Sequence, residues 1–199
     1  VKAILSDSQD NLWIGTQGGV IKTDIETGEQ VIFDSNISNE RQLLLNNVFA
    51  LEEDEQHRIW IGSAGGINIW DEQLKKMYSI TASSQNGLSS NYIAHLTKSP
   101  EGKIWISAWE GGLYEVNGDF HQPDELQFEP IADVSNVSEK VVYGDNAIWL
   151  IEFDQLYRVD EKTKERQLVS SFTEVAKQQM IYSLYYSSSG SIWAGTLNG

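Results

Sequence analysis

The sequence predicts an all-β fold made of one four-stranded unit repeated along the chain, and three observations carry that prediction. The first is a period. Trp13, Trp60, Trp105, Trp149 and Trp193 are separated by 47, 45, 44 and 44 residues, and each follows an aliphatic residue (Leu12, Ile59, Ile104, Ile148, Ile192). The second is alternation: Gly66-Ile67-Asn68-Ile69-Trp70 places its apolar residues with period two, which suits a strand and not a helix. The third is punctuation, because Gly and Asx residues recur at matching offsets between short apolar runs. A period of about 45 residues divided into short strands is the mark of a propeller blade. The fold class expected is therefore an all-β β-propeller fragment, with four complete four-stranded blades plus the first two strands of a fifth.

Each element has a local reason. The first strand of a blade carries apolar residues at Val1, Ile4 and Leu5, at Val48 and Leu51, at Ile93 and Leu96, and at Ile181 and Leu184. Polar turns follow, such as Asp7-Ser8-Gln9-Asp10-Asn11 and Pro100-Glu101-Gly102. The Trp strand is second. A large flat side chain there fills the wedge between twisted blades, so the repeated Trp reads as core. Gly18-Gly19, Gly65-Gly66 and Gly111-Gly112 open the third strand as tight turns. A phosphate cradle would need a helix after them, and a strand follows instead. The third strands end at Asp24, Asp71, Asn117 and Asp160, and fourth strands follow at 30–33, 76–80, 127–131 and 167–172. Blade limits fall near 1–34, 46–80, 91–131 and 137–172, with a partial blade over 179–199. Helix is expected only as short turns near 40–44 and 174–179. The fourth copy departs from the rest, since Trp149 leads into Leu150-Ile151-Glu152-Phe153-Asp154-Gln155 with no glycine.

Charge and composition narrow the function classes. Fourteen Lys and Arg against 29 Asp and Glu leave a net charge of −15, which opposes binding to a phosphate backbone. The absence of cysteine excludes disulfides, thiolate catalysis and Cys-based zinc sites. No apolar run approaches the roughly 18 residues of a spanning helix. The chain begins at Val1 with no charged-then-apolar leader and stops inside a blade, so it is expected to be a piece of a longer array. Two open blade faces would then invite self-association through the terminal blades, at Ile4, Leu12 and Ile14 on one side and Ile181, Leu184 and Trp193 on the other.

Leu12-Trp13-Ile14-Gly15-Thr16 with Gly18-Gly19-Val20, and Ile59-Trp60-Ile61-Gly62-Ser63 with Gly65-Gly66-Ile67, resemble the two-component regulator propeller repeat. So does the run from Gly87-Leu88-Ser89-Ser90-Asn91-Tyr92-Ile93 to Glu101-Gly102-Lys103-Ile104-Trp105-Ile106. The resemblance implies the sensor part of a bacterial membrane receptor, periplasmic and non-catalytic, joined to a histidine kinase or diguanylate cyclase module. It also implies that ligands, where present, are glycans or their fragments.

The residues themselves offer no catalytic constellation. His57, His95 and His121 stand at different places in their repeats and lack metal-ligand spacing, so neither a metal nor a cofactor is expected. Asp7-Ser8-Gln9-Asp10-Asn11 lacks the later Gly and terminal Glu of a calcium loop. It reads as a solvated turn, and Glu52-Glu53-Asp54-Glu55 as a solvated face. A propeller lyase or lactonase would ring the channel with acids or histidines. The corresponding positions are Val1-Lys2, Asn47-Val48, Tyr92-Ile93 and Met180-Ile181, with no acid ring. A protein-docking scaffold is the other alternative. For a sensor, recognition falls to the loops joining fourth to first and second to third strands. The candidate residues are Trp109 and Glu110, where an extra residue sets a second Trp beside an acid, Arg41 and Asn91 in the longest loops, and Asp154 in the equivalent loop of the fourth copy. An exposed Trp beside a carboxylate suits sugar stacking and hydroxyl hydrogen bonding, so a small-molecule or oligosaccharide ligand is the partner expected. The opposing reading packs Trp109 on the neighbouring blade.

Overall fold

The structure is a computed structural model that describes residues 1–131, 134, 140–152, 155–171 and 181–196. Blade 1 is β1 (Ala3–Ser6), β2 (Asn11–Thr16), β3 (Gly19–Asp24) and β4 (Gln30–Phe33). Blade 2 is β5 (Val48–Glu53), β6 (Ile59–Ser63), β7 (Gly66–Asp71) and β8 (Lys76–Ile80). Blade 3 is β9 (Ile93–Lys98), β10 (Ile104–Ala108), β11 (Gly112–Asn117) and β12 (Gln127–Pro130). Blade 4 is β13 (Val141–Gly144), β14 (Ala147–Glu152), β15 (Gln155–Asp160) and β16 (Arg166–Ser171), and β17 (Ile181–Tyr186) pairs with β18 (Ile192–Thr196). Within each sheet the strands lie side by side in chain order, all antiparallel. First strands of successive blades are neighbours, so the sheets stand radially round one axis. This is the all-β propeller architecture expected.

Two details differ. The stretch 40–44 is not helical. Asn39 accepts the Arg41 amide on its side chain and the Gln42 amide on its carbonyl, and Asp34 bridges to Gln42, so these backbone groups are committed to a loop. Single 3-10 turns occur instead at Ala82–Ser84 and Pro123–Glu125. The other expected turn, 174–179, lies outside the described residues.

Each blade presents two faces because cross-strand partners share a side. In blade 1, Ile4, Ile14, Ile21 and Ile32 are directly opposed across all four strands, while Trp13 looks the other way. The Trp face of one blade covers the aliphatic face of the next. Trp13 packs with Leu51, Ile59 and Ile61, Trp60 with Leu96 and Ile106, Trp105 with Val141 and Leu150, and Trp149 with Leu184 and Ile192. Trp13, Trp60 and Trp105 are each no more than 1% exposed, so these repeated indoles are core. The glycine two residues past the Trp makes room for the next blade: a Cβ on Gly62 would stand 2.7 Å from Ile93 Cγ2. Gly66 answers a different need. Its φ is +128°, and a Cβ there would strike the Ile80 carbonyl oxygen.

The first turn of a blade caps the indole of the same blade. Asp7 Oδ2 accepts Trp13 Nε1 at 2.7 Å, and Asp54 Oδ2 accepts Trp60 Nε1 at 2.8 Å. Burial favours the neutral form of Asp7, but the indole of Trp13 and the amides of Asn11 and Gln9 outweigh it and hold the carboxyl low. The acids at 7 and 54 are therefore structural, which corrects their reading as a solvated turn and a solvated face. In blade 4, where the turn is shorter, the Gly144 carbonyl accepts Trp149 Nε1 at 2.9 Å. Blade 3 has Ser99 at the capping position, and Trp105 Nε1 is buried with no hydrogen-bond partner among the described residues. Ser99→Asp is therefore expected to stabilise the chain by about 1 kcal/mol, because a buried donor gains its acceptor. Urea unfolding of the two proteins checks this, and equal midpoints would refute it.

Candidate ligand-recognition site

The connections between second and third strands lie on the same face as those between fourth and first. Backbone bonds join them: Gly19 N donates to Asn46 O, Ala64 N to Asn47 O, and Trp109 N to Tyr92 O at 2.9 Å. The two long loops are tied down from within. Asp34 accepts the Asn36 amide and the Asn46 side chain, bonds that hold its carboxyl below the usual range. Asn91 Oδ1 accepts the Ala82 amide at 2.7 Å, and Phe128 N donates to Asn86 O. Ser89 Oγ lies 2.5 Å from the Tyr114 hydroxyl. This face is a set of fixed loops on rigid sheets, the arrangement that serves binding.

On it runs a column of rings. Phe49 is the extra residue of a bulge between Val48 and Ala50, a device that re-aims a side chain. Its ring stacks on Tyr92 with centroids 4.7 Å apart and planes at 23°. Tyr92 meets Trp109 at 5.9 Å and 51°, and Lys2 Nζ lies 5.8 Å from the Phe49 centroid. Phe49 and Tyr92 thus cover one another, and the indole of Trp109 ends the column with 44% of its surface exposed. Both readings of Trp109 are partly realised: the ring leans on Tyr92, and much of it still meets solvent. Glu110 follows it on the surface with φ +57°, a left-handed conformation that kinks the connection.

The other candidates fall apart from this column or serve it indirectly. Asn91 closes the loop of blade 3 next to Tyr92. Arg41 lies in the 34–47 loop, where Nε is 3.7 Å from Glu40 and has no hydrogen-bond partner among the described residues. Asp154 lies outside the described residues. Lys2 and Tyr92 stand at the channel-mouth positions where an enzyme would place acids, and Phe49 lies one residue past Asn47-Val48. What gathers there is aromatic and not acidic.

Among the described residues, the titratable groups elsewhere form structural contacts. Ser8 Oγ is 2.6 Å from Glu53 Oε1 and 2.8 Å from His57 Nδ1, and His57 Nδ1 is 3.3 Å from the same carboxylate oxygen. A nucleophilic relay needs the imidazole to touch serine and carboxylate through different nitrogens. Here one nitrogen faces both, and the cluster clips the first turn of blade 1 to blade 2. Burial, helped by the Lys140 charge, takes His95 down to about 3 and keeps it neutral. His121 pairs with Asp119 on the surface. Among the described residues no three His, Cys, Asp or Glu side chains converge as a metal site, and no helix is long and apolar enough to cross a membrane.

A radial array of Trp-centred four-stranded blades defines a propeller segment. The family model of the two-component regulator propeller matches residues 1–18 and 42–65. No protein of curated function matches the sequence. Among solved structures, the extracellular domain of the hybrid two-component system BT3049 from B. thetaiotaomicron has a TM-score of 0.75 at 23% identity, covering 100% of this chain and 27% of its own. That of the hybrid two-component system BT4673 from the same organism has a TM-score of 0.77 at 18% identity, covering 98% of this chain and 28% of its own. A virginiamycin B lyase from Staphylococcus aureus has a TM-score of 0.69 at 12% identity, covering 98% of this chain and 62% of its own. The chain thus spans little more than a quarter of the receptor domains it matches, and what it shares with all three is the fold.

Proposed function

We propose that this chain is part of the ligand-sensing propeller of a bacterial signalling receptor, of two-component or diguanylate cyclase type, with the propeller in the periplasm and no turnover of the ligand. The observation that carries this reading is the ring column ending at Trp109 on the fixed loop face. The repeat match and the likeness to receptor extracellular domains support it. One open indole face next to the Glu110 carboxylate suits an oligosaccharide: the C–H face of a pyranose stacks on the ring, and its hydroxyls donate to the acid. Lyases share this fold too, but the Ser8–Glu53–His57 geometry argues for a clip.

The test is calorimetric titration with a panel of short neutral and acidic oligosaccharides, with product analysis of each mixture. For the sugar that binds, Trp109→Ala is expected to lower affinity by about tenfold or more while the chain stays folded, because the ring ends the column at the surface and lies outside the blade cores. Cleavage or isomerisation of a bound sugar would replace the sensor by an enzyme, and unaltered affinity in Trp109→Ala would remove the column from the site.

A further inference from the structure

The chain sets its own cations over several of its rings. Lys22 Nζ lies 5.5 Å from the centroid of the Trp13 ring, and Lys164 Nζ lies 4.2 Å from that of Trp105. The ring column is met in the same way at one end, where Lys2 Nζ stands 5.8 Å from the Phe49 centroid. A cation over an aromatic face is held by the negative potential of the ring, and indole is the strongest such partner. At the other end of the column Trp109 is 44% exposed, and no cation lies over it among the described residues. Its chain neighbour Glu110 is exposed and makes no ion pair among the described residues. Two groups that attract cations thus stand side by side on the surface. Both are fixed by backbone bonds. Trp109 N donates to Tyr92 O, and Gly111 N donates to Ala108 O, which closes the turn that holds Glu110 at φ +57°.

Resting on the reading of this column as the recognition site, we infer that its ligand is an amino sugar, whose protonated amine sits over the Trp109 ring and beside the Glu110 carboxylate. A neutral pyranose uses the ring through its C–H face and gains from the acid only a hydroxyl contact made in competition with water. An ammonium gains from both groups, from the ring face and from the charge of the acid. The chain as a whole favours the same ligand: at a net charge of −15 it draws cations toward its surface and repels uronic and sulfated sugars. Acetylation of the amine removes the charge, so the free amine is the group that distinguishes this ligand from its neutral relatives.

Three tetrasaccharides of one backbone test this, β-1,4-linked glucose with a hydroxyl, an acetamide or an amine at C2 of every ring. Each is titrated calorimetrically into the 199-residue chain in mildly acidic buffer at low salt. The amine form is expected to bind about tenfold more tightly than either neutral form, and to lose part of that advantage as added salt screens the charges. Glu110→Gln keeps the shape of the side chain and is expected to weaken the amine form about fivefold, while the neutral forms stay within about twofold. Trp109→Ala is expected to weaken all three. Equal affinity for the three forms, all weakened in Trp109→Ala, would overturn the amine and leave the column as the sugar site. An amine preference unchanged in Glu110→Gln would also overturn the inference, by tracing the preference to the net charge alone. Binding of none of the three would overturn the amino sugar, and the neutral and acidic panel then decides separately whether the column recognises a sugar.

Discussion

Asp54→Ala is expected to cost about 4 kcal/mol, the largest effect of any single substitution considered, because breaking a buried pair leaves its partner charge uncompensated. The carboxylate is 1% exposed and serves five donors. Its Oδ1 takes the Gln56 and Arg58 amides at 2.9 and 3.0 Å, while Oδ2 takes Arg58 Nε at 2.9 Å, Arg58 Nη2 at 2.7 Å and the Trp60 indole. Arg58 is itself 3% exposed, so removing the acid strands a guanidinium and an indole N–H together. Small domains have only about 5–15 kcal/mol of stability, so the variant should unfold at a much lower urea concentration. Adding Arg58→Leu to Asp54→Ala is expected to recover a good part of the loss, since the stranded charge goes with it. Urea unfolding followed by Trp fluorescence measures both. A loss below about 1 kcal/mol for Asp54→Ala would show that water reaches the site and that the capping account is wrong.

Much of this architecture is legible in the sequence because it depends on short-range spacing. The Trp period, the double glycines and the Asx residues closing third strands each sit at a constant offset within a repeat, and each has a local cause. The Asp–Trp cap is also a constant offset of six residues, at Asp7–Trp13 and Asp54–Trp60, and could have been read. It was hidden because acids in turns are usually solvated, so Glu52-Glu53-Asp54-Glu55 looked like one exposed run. Strand alternation separates that run: Asp54 is buried, and Glu52 points at the next blade. The ring column was beyond sequence reading for a different reason. Phe49 comes from blade 2 while Tyr92 and Trp109 flank the first and second strands of blade 3, and a bulge decides where Phe49 aims. Exposure of Trp109 depends on how far Tyr92 leans under it, and no periodicity encodes that.

Glu52→Gln is expected to stabilise the chain at alkaline pH and to do nothing in acid. Glu52 opposes Trp60 across β5 and β6, on the face that blade 3 covers. Burial pushes its carboxyl from 4.5 up to about 7, against the opposing pull of the Glu53 amide and Lys98, while the Glu53 carboxylate adds a further upward push. The sign follows from proton linkage. Between about 4.5 and 7 the folded chain holds a proton here that the unfolded chain has released, so rising pH favours unfolding across that window. Below it the group is neutral in both states and carries no penalty. Above it the full penalty applies, on the order of 2–3 kcal/mol from the size of the shift. Glutamine keeps the oxygen that accepts the Glu53 amide at 3.1 Å, and it cannot ionise. Unfolding free energies of the two proteins should therefore coincide near pH 4.5 and diverge up to about pH 8, the variant being the more stable. A difference that is constant with pH would mean that the gain, if any, comes from packing and that Glu52 ionises as freely in the fold as outside it.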